Sequence, residues 1–394
     1  MQVNNENNAG YKHTLLGWIP NEWEIKQLHT ITDNFKSGEG ITSPQIFDEG
    51  DFPVYGGNGL RGFANSYTHD GEYILIGRQG ALCGNIVMVK GKIYISEHAI
   101  AVSVNGKTDL NWLGYCLIHK NLNRLSESSA QPGLAVNKLL KLKVTFPPLP
   151  EQRRIAAILS TWDEAITKTQ QLIAQLQQRN KGLMQQLLTG KKRLKGFNGK
   201  WMHLKIYDVA KEVSLKNRED KQLTVLSCTK YDGLVPSLEY FGRRVFGSDT
   251  STYKVVPKAH FAYATNHIEE GSIGYQNILE EALISPMYTV FKTSDKVNDD
   301  FFYKLLKSHQ YIHQYCKRME GSIDRRGGLR WDEFSKIVIH LPQLEEQKAI
   351  ASLINKAVEE VKLYKQKLAA LQQQKKGLMQ KLLTGEIRVN TKNN

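Results

Sequence analysis

The segment 147-PPLPEQRRIAAILSTWDEAITKTQQLIAQLQQRNKGLMQQLLTG-190 decides the organisation of this chain, because a second copy of it occupies positions 342–385. The two copies keep a constant offset of 195 residues without a gap, and about half of their aligned positions are identical. Identity is strongest near the start, at Glu151-Gln152 and Glu346-Gln347, and at the ends, KGLMQQLLTG and KGLMQKLLTG. The duplication predicts that one structural element is used twice.

Apolar residues in each copy are spaced by four and three positions, which is the heptad seam of a helix that needs a partner helix. Each copy is the obvious partner of the other. The predicted seam consists of Ile155, Leu159, Trp162, Ile166, Ile173, Leu176, Leu183 and Leu187 in the first copy, and Ile350, Ile354, Val361, Tyr364, Leu368, Leu371, Leu378 and Leu382 in the second.

The ends of both helices are marked in the sequence. Pro150 suits a first helical turn, and Gly190 and Gly385 are placed as C-terminal caps. At about 1.5 Å per residue, each helix would be roughly 55 to 60 Å long. An ordinary core helix hairpin remains an alternative, although ordinary helices are shorter.

Length, charge and cysteine content limit the possible classes of protein. The 394 residues suggest two or three domains, and the net charge of +14 with a pI near 9.4 favours a polyanionic partner such as nucleic acid. The four cysteines, Cys83, Cys116, Cys228 and Cys316, include no CxxC pair and fit reduced thiols. No apolar run is long enough to cross a membrane, and the N-terminus has no hydrophobic signal core, so we expect a cytoplasmic protein.

The remaining sequence forms two segments of short β-type runs, glycine turns and one helix-like stretch each, Leu110 to Leu125 and Asp300 to Met319. Both close on runs that keep the 195-residue offset, GLAVNKLLKLKVTFP and GLRWDEFSKIVIHLP. We predict an α+β chain with an internal pseudo-two-fold repeat. Its parts are globular domains at 1–148 and 192–343, long helices at 149–191 and 344–386 that pair as an antiparallel coiled coil, and a tail at 387–394.

Three motifs suggest other chemistry, and each lacks an essential part. GNGLRG at 57–62 spells GxGxxG, but no apolar helix follows it and no acid stands about twenty residues on, so a tight turn is the better interpretation. AVSVNGKT at 101–108 resembles a phosphate-binding loop without its first glycine. His309, His313 and Cys316 have helical spacing but no acid between the histidines, so we expect no metal site.

The chain resembles the specificity subunits of Type I restriction-modification systems. The resemblance rests on YKHTLLGWIPNEW, YGGNGLRGF and ILIGRQGALCG in the first domain, on the helix starts PPLPEQRRIAAIL and LPQLEEQKAIASL, and on the repeated GLMQ and LLTG helix ends. The second domain departs from the first, with Ala-Thr-Asn-His at 264–267 where the first has Ile-Gly-Arg-Gln at 76–79.

The resemblance implies that each globular domain is a target recognition domain that reads one half of a bipartite DNA site. It implies that the paired helices set the gap and dock two modification subunits, which carry S-adenosylmethionine, with two restriction subunits that use ATP and magnesium where present. It implies a chain without catalysis, cofactor or metal of its own.

Arginine reads guanine, asparagine and glutamine read adenine, and basic side chains also contact phosphates, so polar residues in turns are candidates for DNA contact. The candidates are Asn58, Arg61, Arg78, Gln79, Ser129 and Gln131 in the first domain, and Lys230, Tyr231, Arg243, Arg244, Asn266, His267, Gln276, Arg325 and Arg326 in the second.

Two other classes of function stay open from the sequence alone. One is a self-contained DNA-acting enzyme or a nucleotide hydrolase that uses residues 101–108. The other is a structural coiled-coil adaptor, whose basic charge would serve solubility and whose DNA binding would lack the steep salt dependence of phosphate contacts.

Overall fold

The computed structural model describes residues 9–80, 82–126, 132–320 and 328–391. The chain divides into two compact units, the first formed by Met1–Gln171 with Lys365–Asn394 and the second by Leu172–Tyr364. Each long helix contributes one half to each unit. No helix within the described residues combines the length and the apolar character that a membrane span requires.

The strands within the described residues are β1 Tyr11–Thr14, β2 Gly17–Pro20, β3 Glu24–Gln27, β4 Thr32–Ser37, β5 Phe52–Gly56, β6 Gly59–Ala64, β7 His69–Gly77, β8 Ile86–Ile95, β9 Ala99–Val104, β10 Lys143–Phe146, β11 Met202–Lys205, β12 Ala210–Glu212, β13 Leu226–Thr229, β14 Gly233–Pro236, β15 Lys254–Pro257, β16 His260–Ala264, β17 Ile273–Gln276, β18 Glu281–Ile284, β19 Tyr288–Thr293 and β20 Val338–Leu341. The α-helices are α1 Leu110–Lys120, α2 Val136–Leu140, α3 Leu149–Leu188, α4 Ser237–Phe241, α5 Asp299–Leu306, α6 His309–Glu320, α7 Trp331–Phe334 and α8 Leu344–Thr384. Short 3₁₀ helices span residues 28–30, 43–45, 122–125, 206–208 and 268–270.

A six-stranded sheet in the order β4-β9-β7-β8-β5-β6 forms the centre of the first unit. Its pairs are antiparallel except β5 with β8. Alternation along the strands sends Ile74 and Ile76 into the core with α1, whereas Leu75 joins a separate apolar cluster on the other face. Both faces of β7 are therefore covered by apolar side chains.

The second unit has a smaller four-stranded sheet in the order β12-β19-β16-β17, and two-stranded pairs β13-β14 and β15-β18. Its core contains more aromatic rings than that of the first unit, packed among aliphatic side chains. Phe261 stacks on Phe291 with ring centroids 5.0 Å apart, and Tyr263 lies 4.5 Å from Phe334. The two cores thus differ in their share of aromatic rings.

A buried glutamine ties the start of each long helix to its own unit. In the first unit, the backbone N–H of Asp109 donates to Gln152 Oε1 at 2.8 Å, and Gln152 Nε2 donates to the Pro147 carbonyl at 2.8 Å. In the second unit, Gln347 repeats both bonds, with the Asn298 N–H at 2.8 Å and the Pro342 carbonyl at 2.9 Å. These bonds join the helix start to the residue that caps α1 or α5.

The neighbouring glutamate is paired with an arginine that follows the end of the other long helix. Glu346 accepts two bonds from Arg193 at 2.6 and 2.7 Å, and its side chain is 2% exposed. Glu151 accepts from Arg388 at 2.7 Å and from the Trp23 indole at 2.9 Å. Each buried carboxylate therefore joins parts of the chain that are far apart in sequence.

Contacts within each unit run in the antiparallel sense. In the first unit, Asp163 pairs with Lys375 and also accepts from the Tyr115 hydroxyl. In the second, Arg179 bonds Glu360, and the buried Asn180 donates to the Ala357 carbonyl at 2.6 Å. A polar side chain in an apolar seam favours one register over others.

All sixteen predicted seam residues are buried or half-buried. The buried ones are Ile155, Leu159, Ile173, Leu176, Leu187, Ile350, Ile354, Val361 and Leu382, and the half-buried ones are Trp162, Ile166, Leu183, Tyr364, Leu368, Leu371 and Leu378.

Replacing Gln152 or Gln347 by leucine should destabilise the corresponding unit by about 2 to 3 kcal/mol. The change leaves a half-buried N–H and a buried carbonyl without partners, and each costs on the order of 1 kcal/mol or more. Urea denaturation of the full chain measures the effect. Gln177→Leu, on the exposed face of α3, should change the midpoint little, and equal effects of all three changes would contradict the assigned role.

Replacing Arg193 by methionine should destabilise the second unit by about 3 kcal/mol, because it leaves the Glu346 carboxylate buried and unpaired. The double variant Arg193→Met/Glu346→Leu should recover part of that loss. Lys348→Met removes an exposed pair with Glu345 on the same helix and should have little effect. A double variant no more stable than Arg193→Met would show that the pair is not coupled.

Candidate nucleic-acid interface

The end of β7 holds two predicted DNA-contacting residues on a fixed backbone. The N–H of Arg78 donates to the His98 carbonyl at 2.9 Å, and the Arg78 carbonyl accepts from the N–H of Leu134 at 3.0 Å. Arg78 Nη1 donates to Ser37 Oγ at 3.1 Å, and Gln79 Oε1 lies 3.3 Å from His98 Nδ1. The backbone here is held on both sides, while the side chains are half-buried for Arg78 and exposed for Gln79.

The β5–β6 hairpin lies against this strand end through two glycines. A Cβ on Gly77 would stand 2.4 Å from the Gly57 carbonyl oxygen, and a Cβ on Gly57 would stand 2.9 Å from the His98 carbonyl oxygen. Only glycine permits such an approach. The GxGxxG motif is thus a hairpin turn, as the sequence predicts.

The hairpin carries Asn58 and Arg61, both exposed. We define the first tip as Asn58, Arg61, Arg78, Gln79 and His98. It combines guanidinium, amide and imidazole groups of the kinds that read base edges and contact phosphates. Sequence reasoning missed His98 and the supporting Ser37, because they come from other strands and stand in no recognisable motif.

The second unit repeats one of these backbone bonds at the end of β16. Thr265 accepts from the N–H of Leu329 at 2.9 Å, and Leu329 stands 195 residues after Leu134. The Thr265 hydroxyl donates to the Met287 carbonyl at 2.9 Å. Threonine therefore occupies the place that arginine has in the first unit, and Asn266 and His267 follow it.

A cavity of about 480 Å³ opens beside this strand end. Thr265, Asn266, Arg330 and Trp331 line it together with Lys254, whose pKa is lowered by burial. The carboxylates of Glu212 and Asp332 also line it, so amide, hydroxyl, cationic, aromatic and anionic groups converge next to the predicted residue Asn266.

Lys230 and Tyr231 lie at the turn between β13 and β14. Tyr231 is 80% exposed, and Lys230 Nζ lies 5.5 Å from the centre of its ring. Lys307, whose pKa is lowered by burial, donates to the Lys230 carbonyl at 2.9 Å. That carbonyl also lies near Gly271, which closes the turn that follows His267. We define the second tip as Lys230, Tyr231, Thr265, Asn266 and His267.

The other candidates have different positions. Arg243 and Arg244 are exposed after α4, where Arg244 bonds the Gly247 carbonyl at 3.0 Å and lies over Phe246. Gln276 is fully buried, and its Oε1 accepts from the N–H of Ile278 at 3.0 Å, so it stabilises a turn and is withdrawn as a DNA contact. Ser129, Gln131, Arg325 and Arg326 lie outside the described residues.

The segment 101–108 does not form a phosphate-binding loop. The N–H groups of Lys107 and Thr108 donate to Asn105, and the N–H of Asp109 donates to Gln152. A phosphate-binding loop needs these amides free to point at the ligand. The segment is a turn that leads from β9 into the cap of α1.

His309, His313 and Cys316 of α6 do not form a group whose ligand atoms lie close enough together to hold one metal ion; within the described residues, such a group is found elsewhere. Cys316 Sγ points to the Glu269 carbonyl at 3.9 Å. His267, Glu269 and Glu270 lie within ligand distance of one another, but His267 and Glu270 are exposed and lie 3.7 Å apart as an ordinary surface pair. Neighbouring acids at a surface do not by themselves indicate a metal ion.

Comparison with known proteins gives a consistent assignment. The family model described as the Type I restriction modification DNA specificity domain matches residues 20–178 and 198–373. The specificity subunit of the Type I restriction enzyme EcoprrI from Escherichia coli is 42% identical over 159 residues, which is 39% of each chain. The putative Type I restriction enzyme MjaX specificity subunit of Methanocaldococcus jannaschii is 25% identical over 433 aligned positions, or 97% of each chain.

Two solved structures show the same fold. The S subunit of a Type I system from M. genitalium matches with a TM-score of 0.58 at 16% identity, over 92% of this chain and 96% of that one. A chain from a study of complex assembly in the Type I system matches with a TM-score of 0.60 at 17% identity, over 94% and 99%. The family model matches most of the length of this chain. The chain therefore belongs to the family of Type I restriction-modification DNA specificity subunits.

Proposed function

We propose that this chain is the non-catalytic specificity subunit of a Type I restriction-modification complex, in which each unit reads one half of a bipartite DNA site. The observation that carries the proposal is the shared strand end. The same backbone bond, from Leu134 to Arg78 and from Leu329 to Thr265, presents different side chains in the two units. One frame with two different tips is what reading two different half-sites requires.

The chemistry of the two tips differs in a way that predicts different bases. The guanidinium of Arg78 can donate two bonds to guanine, and the amides of Gln79 and Asn266 can pair with adenine. Tyr231 offers an exposed ring that can stack on a base or wedge between base steps. The excess of 53 Lys and Arg over 39 Asp and Glu supplies the general attraction to phosphates.

The long helices have a separate role in the proposal. They pair as an antiparallel coiled coil in a pseudo-two-fold repeat, set the gap between the half-sites and dock two modification subunits, with two restriction subunits where the system has them. S-adenosylmethionine, ATP and magnesium belong to those partners, and this chain holds no cofactor. The complex works in the cytoplasm, where the DNA is.

Replacing Arg78 by alanine should relax selectivity at one base of one half-site and leave the other half-site unchanged. Each good bidentate contact to a base contributes about 1 to 3 kcal/mol of discrimination. The measurement is selection of bound sequences from random duplex DNA, using the chain purified with its modification subunits. Thr265→Ala is the reciprocal control and should alter only the other half-site, so a change in both half-sites by either variant would contradict the assignment.

Removing one matched heptad from both helices should shorten the preferred gap by about three base pairs, since seven residues span about 10 Å of helix and a base pair about 3.4 Å. The contacts of Asp163 with Lys375 and of Asn180 with Ala357 match residues 165–171 with 367–373. Removing 165–171 alone is the control and should destroy the pairing. An unchanged gap in the doubly shortened chain would refute the role of the helices in spacing.

A further inference from the structure

A groove of about 590 Å³ in the first unit concentrates positive charge outside the first tip. It lies between the end of α1, the helix α2 and the β1–β2 hairpin. Its cations are Lys120, Arg124, Lys138, Lys141 and Lys143, and no carboxylate of the described residues lines it. Leucines form the floor, as expected where long cationic side chains lay their stems on apolar surface and keep their charges in water.

Four of the five cations in this groove have no carboxylate partner among the described residues. Within the described part of the chain, Lys120, Arg124, Lys141 and Lys143 make no ion pair. Burial lowers the pKa of Lys120, and the charge of Arg124 lowers it further. Burial also lowers the pKa of His119, with Lys120 and Arg124 adding to the effect. Like charges are thus held together here, which an approaching anion would stabilise.

The second unit shows that the fold does not require this charge. The residue 195 positions after Lys138 is Glu333, and the residue 195 positions after Lys141 is Lys336. Glu333 accepts from Lys336 at 2.7 Å and pairs with Arg318 at 3.4 Å. The corresponding surface of the second unit therefore places a carboxylate between two cations, whereas the groove of the first unit is lined by five cations and by no carboxylate of the described residues.

The groove adjoins the first tip through two hydrogen bonds. Leu134, on its floor, donates its N–H to the Arg78 carbonyl. Asn123, next to Arg124, donates to the Cys83 carbonyl at 2.8 Å, in the loop that follows Gln79. Cations beside base-reading side chains are placed where the DNA backbone leaves the bases that are read.

We propose that this basic groove binds backbone phosphates of the DNA flanking the half-site read by the first unit. The inference rests on the proposed function, since it requires DNA at the first tip. It assigns to these cations the sequence-independent part of binding, which positions the duplex and makes affinity depend on salt.

The test is the salt dependence of binding to a duplex that carries the selected site, for the full chain purified with its modification subunits. Each lost phosphate contact lowers the slope of log affinity against log salt by about one. Lys141→Gln should lower it by about one, and Arg124→Gln/Lys141→Gln by about two, with the selected sequence unchanged. Lys336→Gln, the matched position in the second unit, should leave the slope nearly unchanged. Lys141 is exposed, so the single variant stays informative should the double variant fail to fold.

An unchanged slope in the Lys141 variant, with wild type still selecting a bipartite site, would refute phosphate binding in the groove and leave the proposed function standing. A wild-type complex that selects no DNA sequence would overturn both. Loss of the modification subunits from the Arg124/Lys141 variant, with DNA affinity and slope retained, would also overturn the inference and identify the groove as a protein-docking surface.

Discussion

A buried carboxylate at the start of each long helix is the group on which each unit depends. Glu151 and Glu346 are nearly inaccessible to water, and each is paired with an arginine that follows the end of the other helix. An unpaired buried carboxylate costs several kcal/mol. Each helix start therefore depends on the ion pair between its glutamate and that distant arginine. For the second unit the arginine comes from the same continuous stretch, 172–364, whereas the first unit needs residues 365–391 to return to it. The first unit therefore contains all of its parts only when residues 365–391 are present.

The two units share these contacts at the helix starts, but different side chains fill their cores. The first covers both faces of a six-stranded sheet with mostly aliphatic side chains, and the second packs a larger share of aromatic rings against a smaller sheet. The bonds of Gln152 and Gln347 nevertheless have corresponding partners, a helix-capping residue and a proline carbonyl, and nearly the same lengths. The interactions at the helix starts are therefore independent of how each core is filled, which is why the cores and tips can differ while the frame is kept.

The sequence predicts the two long helices well, because apolar spacing and helix-end residues are local signals. Gly190 and Gly385 have positive φ values of 70° and 78°, as expected for helix ends. The predicted stretch Leu110 to Leu125 instead ends as an α-helix at Lys120, where Asn121 takes a left-handed conformation with a φ of 49°. The stretch Asp300 to Met319 is likewise divided into α5 and α6.

The candidate interface was harder to predict, since it depends on neighbours that are distant in sequence. Arg78 and Gln79 could be identified because they follow a strand and precede a glycine. His98 and Ser37 could not, because the sheet order brings them to the tip from other strands. Gln276 shows the opposite error, since a polar residue near a turn can be consumed by bonds within that turn.

The arrangement at the first tip separates what must stay constant from what can change. Gly57 and Gly77 approach so closely that any added side chain would displace the hairpin. At Arg78, by contrast, the strand end is held through the backbone N–H and carbonyl, which every residue except proline possesses, and the side chain adds one bond to Ser37. Thr265 occupies the equivalent position with the same carbonyl bond and a much smaller side chain. Under the proposed function, a substitution there would change which base is contacted while the backbone bonds of the strand end are kept, so a new specificity would not require a new fold.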